Sequence, residues 1–524
     1  MRPVLTPAES AALDRATIEA GTPSATLMAR AGFAVARAVL DVTGGAYGRR
    51  AVVAAGTGHN GGDGRIAAEH LARWGMRVEV VDVPGHDGAR FARSLARADV
   101  AVDALVGTGF HGPAEGDLAA AIEALAAAPC PVVAVDIPSG VDGTTGEVPG
   151  PAVAARLTVA MGAPKIGTVL LPGAELAGDV RVVDIGFPDE LVPRTTGLTE
   201  PADVDAAVAP RETEAHKRST GVVLVVAGSR AMTGAPRLVA GAAQRTGAGY
   251  VVVAAPAGAL GAILADVPAA VGVPLPETDA GTVAAAALDE VLRRAGSADA
   301  LAIGPGLGTD PSTVAFVRDL VRASPAPVVL DADGLNAFAG DAGAIADRKA
   351  DAVLTPHLGE LARLGIEGVD RLTAARELAA STDAVAVVKG PRSAIAAPGG
   401  AARITPTGTP ALATAGTGDV LTGVIAALAA RGLAAYDAAW AGAYLHGLAG
   451  ALAGEEGVVA TAVVGAEHPG VVADRAQVDL GPGRAVPGHA ACSRTAARAA
   501  GSAATTSVAT SPSSPASAPA SPCR

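Results

Sequence analysis

Two rhythms run along the chain. Short, largely apolar runs at residues 51–55, 78–83, 100–102, 132–135 and 180–185 read as buried strands. Stretches such as 66–74 and 117–127, with apolar residues three and four apart, read as the helices between them. Ahead of the first run, Thr6-Pro7-Ala8-Glu9 supplies a hydroxyl cap, a proline at the first helical position and a glutamate three residues past the cap, so a helix starts there. Strands and helices in alternation predict a parallel, doubly wound sheet, because parallel strands need long crossovers.

The alternation lapses at 190–217 into Pro, Thr and charged residues and then resumes. Strands are expected at 222–227, 250–254, 300–303, 328–331, 352–354 and 384–388, with a hairpin over 394–404 and apolar, sheet-packed helices at 420–430 and 438–453. The most apolar stretch, 251–265, is broken by Pro256 and glycines; it reads as strand then loop and is too short to span a bilayer. Past about residue 465 the periodicity ends, and 502–522 is almost wholly Ser, Thr, Ala and Pro, with nothing to bury. These readings divide the chain into an α/β domain over 1–212, a second over 213–465 and a disordered tail over 466–524.

Composition narrows the partners. At 524 residues the chain exceeds what one core organises, and 50% apolar with only 2% aromatic residues suits tightly packed α/β layers of an enzyme scaffold. A formal net charge of -12 leaves no basic footprint for nucleic acid or an anionic membrane, so neither is expected as a partner. Cys130, Cys492 and Cys523 show neither metal-ligand nor CxxC spacing, and residues 1–5 lack the apolar segment of a secretory signal. A cytoplasmic setting follows as the expectation, and oligomeric state is left open.

Chemistry concentrates at strand ends. Gly56-Thr57-Gly58-His59-Asn60-Gly61-Gly62-Asp63-Gly64 follows a strand and opens a helix, where glycines admit a phosphate close to backbone N–H groups. Alone, it is equally a plain strand-to-helix turn. Asp103-Ala104-Leu105-Val106-Gly107-Thr108-Gly109-Phe110 and Asp136-Ile137-Pro138-Ser139-Gly140 each place an acid at the carboxyl end of a predicted strand, the edge where open α/β sheets bind ligands. Each has a bland alternative: Asp103 as a capping carboxylate, Asp136 as a turn former before Pro138, His59 as a solvated histidine.

With Leu27-Met28-Ala29-Arg30-Ala31-Gly32, Asp142, Lys165 and Gly167, these segments resemble the YjeF N-terminal family, the NAD(P)H-hydrate epimerases, across the first domain. The resemblance implies a Rossmann-like fold and a potassium ion held by Asn60, Asp103 and Ser139, hard oxygen donors of the type such a cation takes. It also implies a hydrated nicotinamide nucleotide on His59, Asn60, Gly61, Gly62, Asp63, Gly107, Thr108, Gly109, Phe110, His111, Gly112, Pro113 and Asp136. Epimerisation at a hydroxyl-bearing carbon needs proton traffic or transient ring opening; Asp136 is the candidate acid/base, and His59, which stands where the family carries Asn, is a second proton carrier.

In the second half, Thr414-Ala415-Gly416-Thr417-Gly418-Asp419 precedes a long helix, setting backbone amides and one carboxylate side by side in a manner suited to phosphoryl transfer. Asp419 alone is equally a favourable helix N-terminal charge. Gly304-Pro305-Gly306-Leu307-Gly308, Asp331-Ala332-Asp333-Gly334-Leu335-Asn336, Thr355-Pro356-His357-Leu358-Gly359-Glu360 and Val388-Lys389-Gly390 also end predicted strands. With Thr233-Gly234-Ala235-Pro236 and Tyr444-Leu445-His446-Gly447, this set resembles the YjeF C-terminal family, the ADP- or ATP-dependent (S)-NAD(P)H-hydrate dehydratases, with a ribokinase-like fold; Leu358 replaces the family's proline.

That second resemblance implies that Ala235, Gly306, Gly308, His357 and Asp419 contact hydrated NADH or NADPH. It assigns the adenine nucleotide to Lys389, Gly390, Pro391, Arg392 and Ser393 and to Thr409, Pro410, Ala411, Leu412, Ala413, Thr414, Ala415, Gly416, Thr417 and Gly418. Hydroxide is a poor leaving group, so phosphorylating the substrate hydroxyl before elimination explains the need for ADP or ATP; Asp419 is the catalytic base, and Mg²⁺ arrives with the nucleotide. His357 is alternatively a histidine satisfying a core hydrogen bond. The expectation is a bifunctional repair enzyme: an epimerase for the R and S hydrates fused to an S-specific dehydratase. Two competitors stand beside it, a ribokinase-like kinase for a small hydroxymethyl compound and a catalytically silent first domain serving as a scaffold.

Overall fold

A computed structural model describes residues 1–210, 213, 214, 216–454 and 460–466. The strands of the first half form a six-stranded sheet in the order Arg77–Asp82, Arg50–Ala55, Val100–Ala104, Val132–Val135, Leu157–Met161, Asp179–Val183, with every neighbouring pair parallel. Successive residues part to opposite faces: Val53, Val102 and Val133 join one core, Val52, Ala54, Ala101 and Val132 the other. That division is why the central runs are apolar throughout, whereas the edge strands Arg77–Asp82 and Asp179–Val183, expected to be buried, carry Glu79, Asp82 and Arg181 and are only partly covered. Each fully buried valine contributes about 1.5–3 kcal/mol of burial.

Leu157–Met161 is a strand that the apolar pattern does not announce, because Thr158 interrupts it. The buried Thr158 hydroxyl donates to the Ala177 carbonyl at 2.7 Å, which removes the penalty of placing it there. The strand order reverses between Arg50–Ala55 and Val100–Ala104, so their carboxyl ends diverge into the crevice expected at a switch point.

The larger, eleven-stranded sheet runs Arg2–Pro3, Thr196–Leu198, Ala402–Ile404, Ala394–Ala396, Val385–Val388, Ala352–Leu354, Val328–Leu330, Ala300–Ile303, Val222–Val226, Tyr250–Pro256, Val271–Leu275. The expected strands and the hairpin are present. Three readings need correction. After Tyr250–Pro256 comes a helix, Ala257–Leu264, not a loop: Pro256 caps it, and burial of Ala259 and Ile263 outweighs its two glycines. The edge strand Val271–Leu275 is hidden by Gly272 and Pro274, which an edge tolerates.

The lapse at 190–217 is also structured. It contains the strand Thr196–Leu198 and the helix Pro201–Ala207, reciprocally capped by Glu200 and Asp203. Thr196–Leu198 pairs with Ala402–Ile404 on one side and with Arg2–Pro3 on the other, so residues from the start of the chain complete the larger sheet. The described residues fall into one compact unit. The expected disordered tail lies outside the described residues from 467 onward.

Helix Thr417–Ala430 packs along Gly234–Thr246 over the second sheet. A Cβ on Gly423 would come within 2.3 Å of the Val239 carbonyl oxygen, so this close approach requires glycine. That contact sets where the start of the Thr417–Ala430 helix, and hence Asp419, meets the strand ends.

Two candidate active sites at the strand ends

The first site occupies the switch point. A Cβ on Gly56 would lie 1.8 Å from the Leu105 carbonyl oxygen, so only glycine lets the two strand-end segments meet. The helix His59–Arg73 begins at once, capped by Gly58, which places His59, Asn60, Gly61, Gly62, Asp63 and Gly64 in its opening turns. Gly62 donates its amide to Gly58, while the amides of His59, Asn60 and Gly61 have no acceptor among the described residues, as an anion-binding helix start requires.

Asn60 ties the site together. Its Nδ2 donates to the carbonyls of Val106 and Val135, both at 2.8 Å, which leaves Oδ1 without a partner and packed against Gly107. Asp103 is fully buried. Its Oδ1 accepts from Ser139 Oγ at 2.7 Å and Leu105 N at 3.3 Å, and its Oδ2 from Ser139 N at 2.7 Å. Burial pushes this carboxyl up to about 6 against the pull of those donors, and no basic side chain pairs with it among the described residues. The structure therefore brings Asn60, Asp103 and Ser139 together around hard oxygens and one uncompensated buried charge.

Asp136 is held more rigidly. It adopts φ 67°, a left-handed conformation that costs a non-glycine residue about 1–3 kcal/mol. Its Oδ1 accepts from Met161 N at 3.0 Å and from Lys165 Nζ at 2.5 Å. Lys165 is completely buried and spends its other two protons on the Met161 and Ala163 carbonyls, each at 3.1 Å. Asp63 is buried with Oδ1 unpartnered, and burial, then Asp136 and Asp14, push it up to about 8. Around the rim, the loop of Gly107, Thr108, Gly109, Phe110, His111, Gly112 and Pro113 is partly to fully exposed, with His111 Nδ1 3.5 Å from Asp142 Oδ2.

The second site lies at the carboxyl ends of Ala300–Ile303, Val328–Leu330, Ala352–Leu354 and Val385–Val388. Asp331 is buried; Oδ1 accepts from Lys389 Nζ at 2.6 Å and Ala332 N at 2.9 Å, and Oδ2 from Thr422 Oγ1 at 2.8 Å. Lys389 Nζ is also 3.7 Å from Glu360 Oε2 and lies 3.3 Å from where a Cβ on Gly418 would stand. Burial works against the Lys389 ammonium, but Asp331 and Glu360 outweigh it and hold its pKa above the ordinary lysine value. Lys389 thus faces the Gly416–Asp419 turn as half of an ion pair.

Asp419 falls in the first turn of Thr417–Ala430, after Gly416 at φ 92°. Its carboxylate makes no hydrogen bond among the described residues, and burial, then Asp331, push it up to about 7. Thr417 N closes on the Thr414 carbonyl, whereas the amides of Ala415, Gly416, Gly418 and Asp419 have no acceptor among the described residues. His446 is buried beneath this turn with Nε2 unpartnered, and burial pushes its imidazole down to about 4.

His357 is not a core histidine. It is exposed, and its Nδ1 caps the helix Leu358–Arg363 by accepting from Gly359 N and Glu360 N, while Glu360 returns a carboxylate to His357 N. Gly308 N donates to Asp333 Oδ2 at 2.8 Å, and Gly306 packs against Ala235. In the segment after Lys389, Gly390 and Pro391 are exposed, Ser393 Oγ donates to the Gly390 carbonyl, and Arg392 at φ 58° feels Glu175 from the first half of the chain. Pro410, Ala411 and Leu412 form a 3-10 turn, Thr409 Oγ1 is buried without a partner, and Thr417 Oγ1 donates to the Leu412 and Thr414 carbonyls.

Several participants escape the motif reading. Asp331, Asp333 and Glu360 stand within recognised motifs, but the resemblance gives them no role; the acid-at-strand-end rule that picks out Asp136 finds Asp331 as well. Lys165 is among the residues that carry the first resemblance, but nothing local in Ala163-Pro164-Lys165-Ile166 marks its pairing with Asp136. Asp14 and Thr422 have no local sign.

Comparison with known proteins gives the family. The chain matches the NAD(P)H-hydrate dehydratase family over 223–467 and the YjeF-related protein N-terminus family over 24–94 and 83–167. It is 41% identical over 485 residues to the bifunctional NAD(P)H-hydrate repair enzyme Nnr of Moorella thermoacetica, covering 85% of this chain and 92% of that one. Against the same enzyme of Thermofilum pendens it is 39% identical, covering 85% and 90%. Among solved structures, the ADP/ATP-dependent NAD(P)H-hydrate dehydratase of Bacillus subtilis, co-crystallised with ATP/Mg²⁺, is 29% identical with a TM-score of 0.44, covering 54% of this chain and 98% of that one.

Proposed function

Because the chain belongs to the bifunctional NAD(P)H-hydrate repair enzymes, we propose that residues 1–212 epimerise through Asp136 and residues 213–465 dehydrate through Asp419. The enzyme interconverts the R and S hydrates of NADH and NADPH and returns the S form to the reduced nucleotide at the expense of ADP or ATP. We place it in the cytoplasm, with those nucleotides as its partners; among the described residues no helix is long and apolar enough to cross a membrane.

In the second site Asp419 takes the proton of the substrate's C6 hydroxyl, whose oxygen attacks the terminal phosphoryl group of the nucleotide. The open amides of Gly416 and Gly418 and the Lys389 ammonium meet the charge on the group in transfer. Phosphate then leaves C6 as a proton leaves C5, restoring the ring double bond. Mg²⁺ belongs with the nucleotide's phosphates, since Asp331 is already saturated by Lys389, Ala332 and Thr422. In the first site Asn60 Oδ1, Ser139 Oγ and Asp103 suit K⁺, which would supply the charge that the buried Asp103 lacks and fix the crevice wall.

The observation that carries this reading is Asp419: an unpartnered carboxylate at a helix start, pushed up to about 7, beside open amides and a paired lysine. Purified protein given mixed R and S hydrates, Mg²⁺ and ADP or ATP should regenerate the near-ultraviolet absorbance of reduced nicotinamide. Failure with both nucleotides would sink the reading, and a stable phosphorylated product would replace it with a kinase.

A further inference from the structure

Inverting C6 requires that its hydroxyl leave from one face of the ring and return on the other, with a proton supplied on departure and removed on return. Asp136 cannot serve both faces. Its Oδ1 is pinned by Met161 N and Lys165 Nζ, and its backbone is locked at φ 67°. A second proton carrier must come from another wall of the site.

The helix Pro7–Glu19 forms such a wall. Leu5 bridges to Lys165, donating its amide to the Pro164 carbonyl and accepting from Ile166 N, each at 3.0 Å. Pro7 abuts Gly143 beside Ile137, and Leu13 packs with Ala163. The next residue, Asp14, is near enough to the Asp136–Lys165 pair to feel both charges, yet it forms no ion pair with Lys165. It is half-buried, and its carboxylate makes no hydrogen bond among the described residues. Lys165, Asp136, His59, Asp63 and Arg15 are the charged or titratable groups that act on it.

We propose that Asp14 is the second acid/base of the epimerase, acting on the opposite face of the ring from Asp136. This rests on Asp136 being the first. Asp14 gives its proton to the C6 hydroxyl; the C–O bond breaks as the N1 lone pair forms the C6=N1 iminium, releasing water. Water then adds to the other face and passes a proton to the Asp136 carboxylate. Exchange with solvent resets both groups, and no electrons are gained or lost. Burial, partly opposed by Lys165, raises Asp14 above the usual carboxylate range, which suits a group that must arrive protonated.

The fused dehydratase supplies a folding control on the same chain. For Asp14→Asn, R-to-S conversion should fall by about 100-fold in kcat with KM little changed, while dehydration of pure S hydrate continues. Asp14→Glu, which restores the carboxyl, should recover at least about a tenth of the lost rate and move the pH dependence of epimerisation. An Asp14→Asn enzyme that epimerises at the parental rate overturns the proposal. So does a Glu variant no better than Asn. Parallel assay of Asp136→Asn separates the causes: if that variant epimerises normally, the reading of the whole site fails; if it is inactive while Asp14→Asn is not, only the role of Asp14 fails.

Discussion

Both sites contain a lysine–aspartate pair at a strand end, but they use it differently. At the first, the candidate catalytic group Asp136 is itself the lysine's partner, 2.5 Å from Lys165 and fixed in a left-handed turn. At the second, Lys389 pairs with Asp331 at 2.6 Å, and the candidate base Asp419 stands beside the pair without a partner. Pairing fixes a carboxylate in position; leaving it unpaired among buried acids tunes its proton affinity. Moving a proton about a ring calls for the first arrangement, and opening a hydroxyl to phosphoryl transfer near neutral pH calls for the second.

The most severe break in this contrast is Asp419→Asn. Dehydration of S hydrate should fall by about 1000-fold while R and S still interconvert, as chiral separation of the hydrates would report. Next, Asp136→Asn should slow epimerisation by about 100-fold and leave dehydration of pure S hydrate intact. Replacing the lysines tests pairing itself. Lys165→Met leaves the largely buried Asp136 without its cation and should cost about 3–5 kcal/mol in denaturant unfolding. Lys389→Met should cost less, because the stranded Asp331 keeps the Ala332 amide and the Thr422 hydroxyl whereas Asp136 keeps only the Met161 amide, but it should abolish dehydration.

A gentler test is pH. Asp419 accepts a proton only when ionised, so kcat/KM for dehydration should rise through about pH 7 and level off above it, and the Asn variant should lack this limb. The same upward shift binds a proton more tightly in the folded chain. Its contribution to stability is therefore complete below the ordinary carboxylate range and is lost as pH rises through about 7. The smallest effect is ionic: replacing K⁺ by a bulky organic cation should slow epimerisation a few-fold and leave dehydration of S hydrate unchanged.

How much of this is legible in a single sequence depends on how local each cause is. Asp103, Asp136 and Asp419 can be read directly, because a strand or helix boundary beside an acid is written in adjacent residues. The strand Leu157–Met161 is not, since Thr158 looks disqualifying until its hydroxyl meets Ala177. Lys165 meets Asp136 only because the strands ending at Val135 and Met161 lie side by side, and Asp14 joins the site only through the packing of the N-terminal helix on distant loops. Lys389 is the instructive intermediate: its place at a strand end is legible, yet its bond to Asp331 spans 58 residues and no local spacing implies it.

The larger sheet is finished by strands drawn from residues 2–3 and 196–198. Expressing the two activities as separate halves, cut near residue 212, would strip those strands away and bare the backbone of Ala402–Ile404 to self-association. The repair functions are thus made in fixed one-to-one stoichiometry and share a single lifetime under proteolysis. For hydrates that interconvert between two faces, neither half can outlast the other.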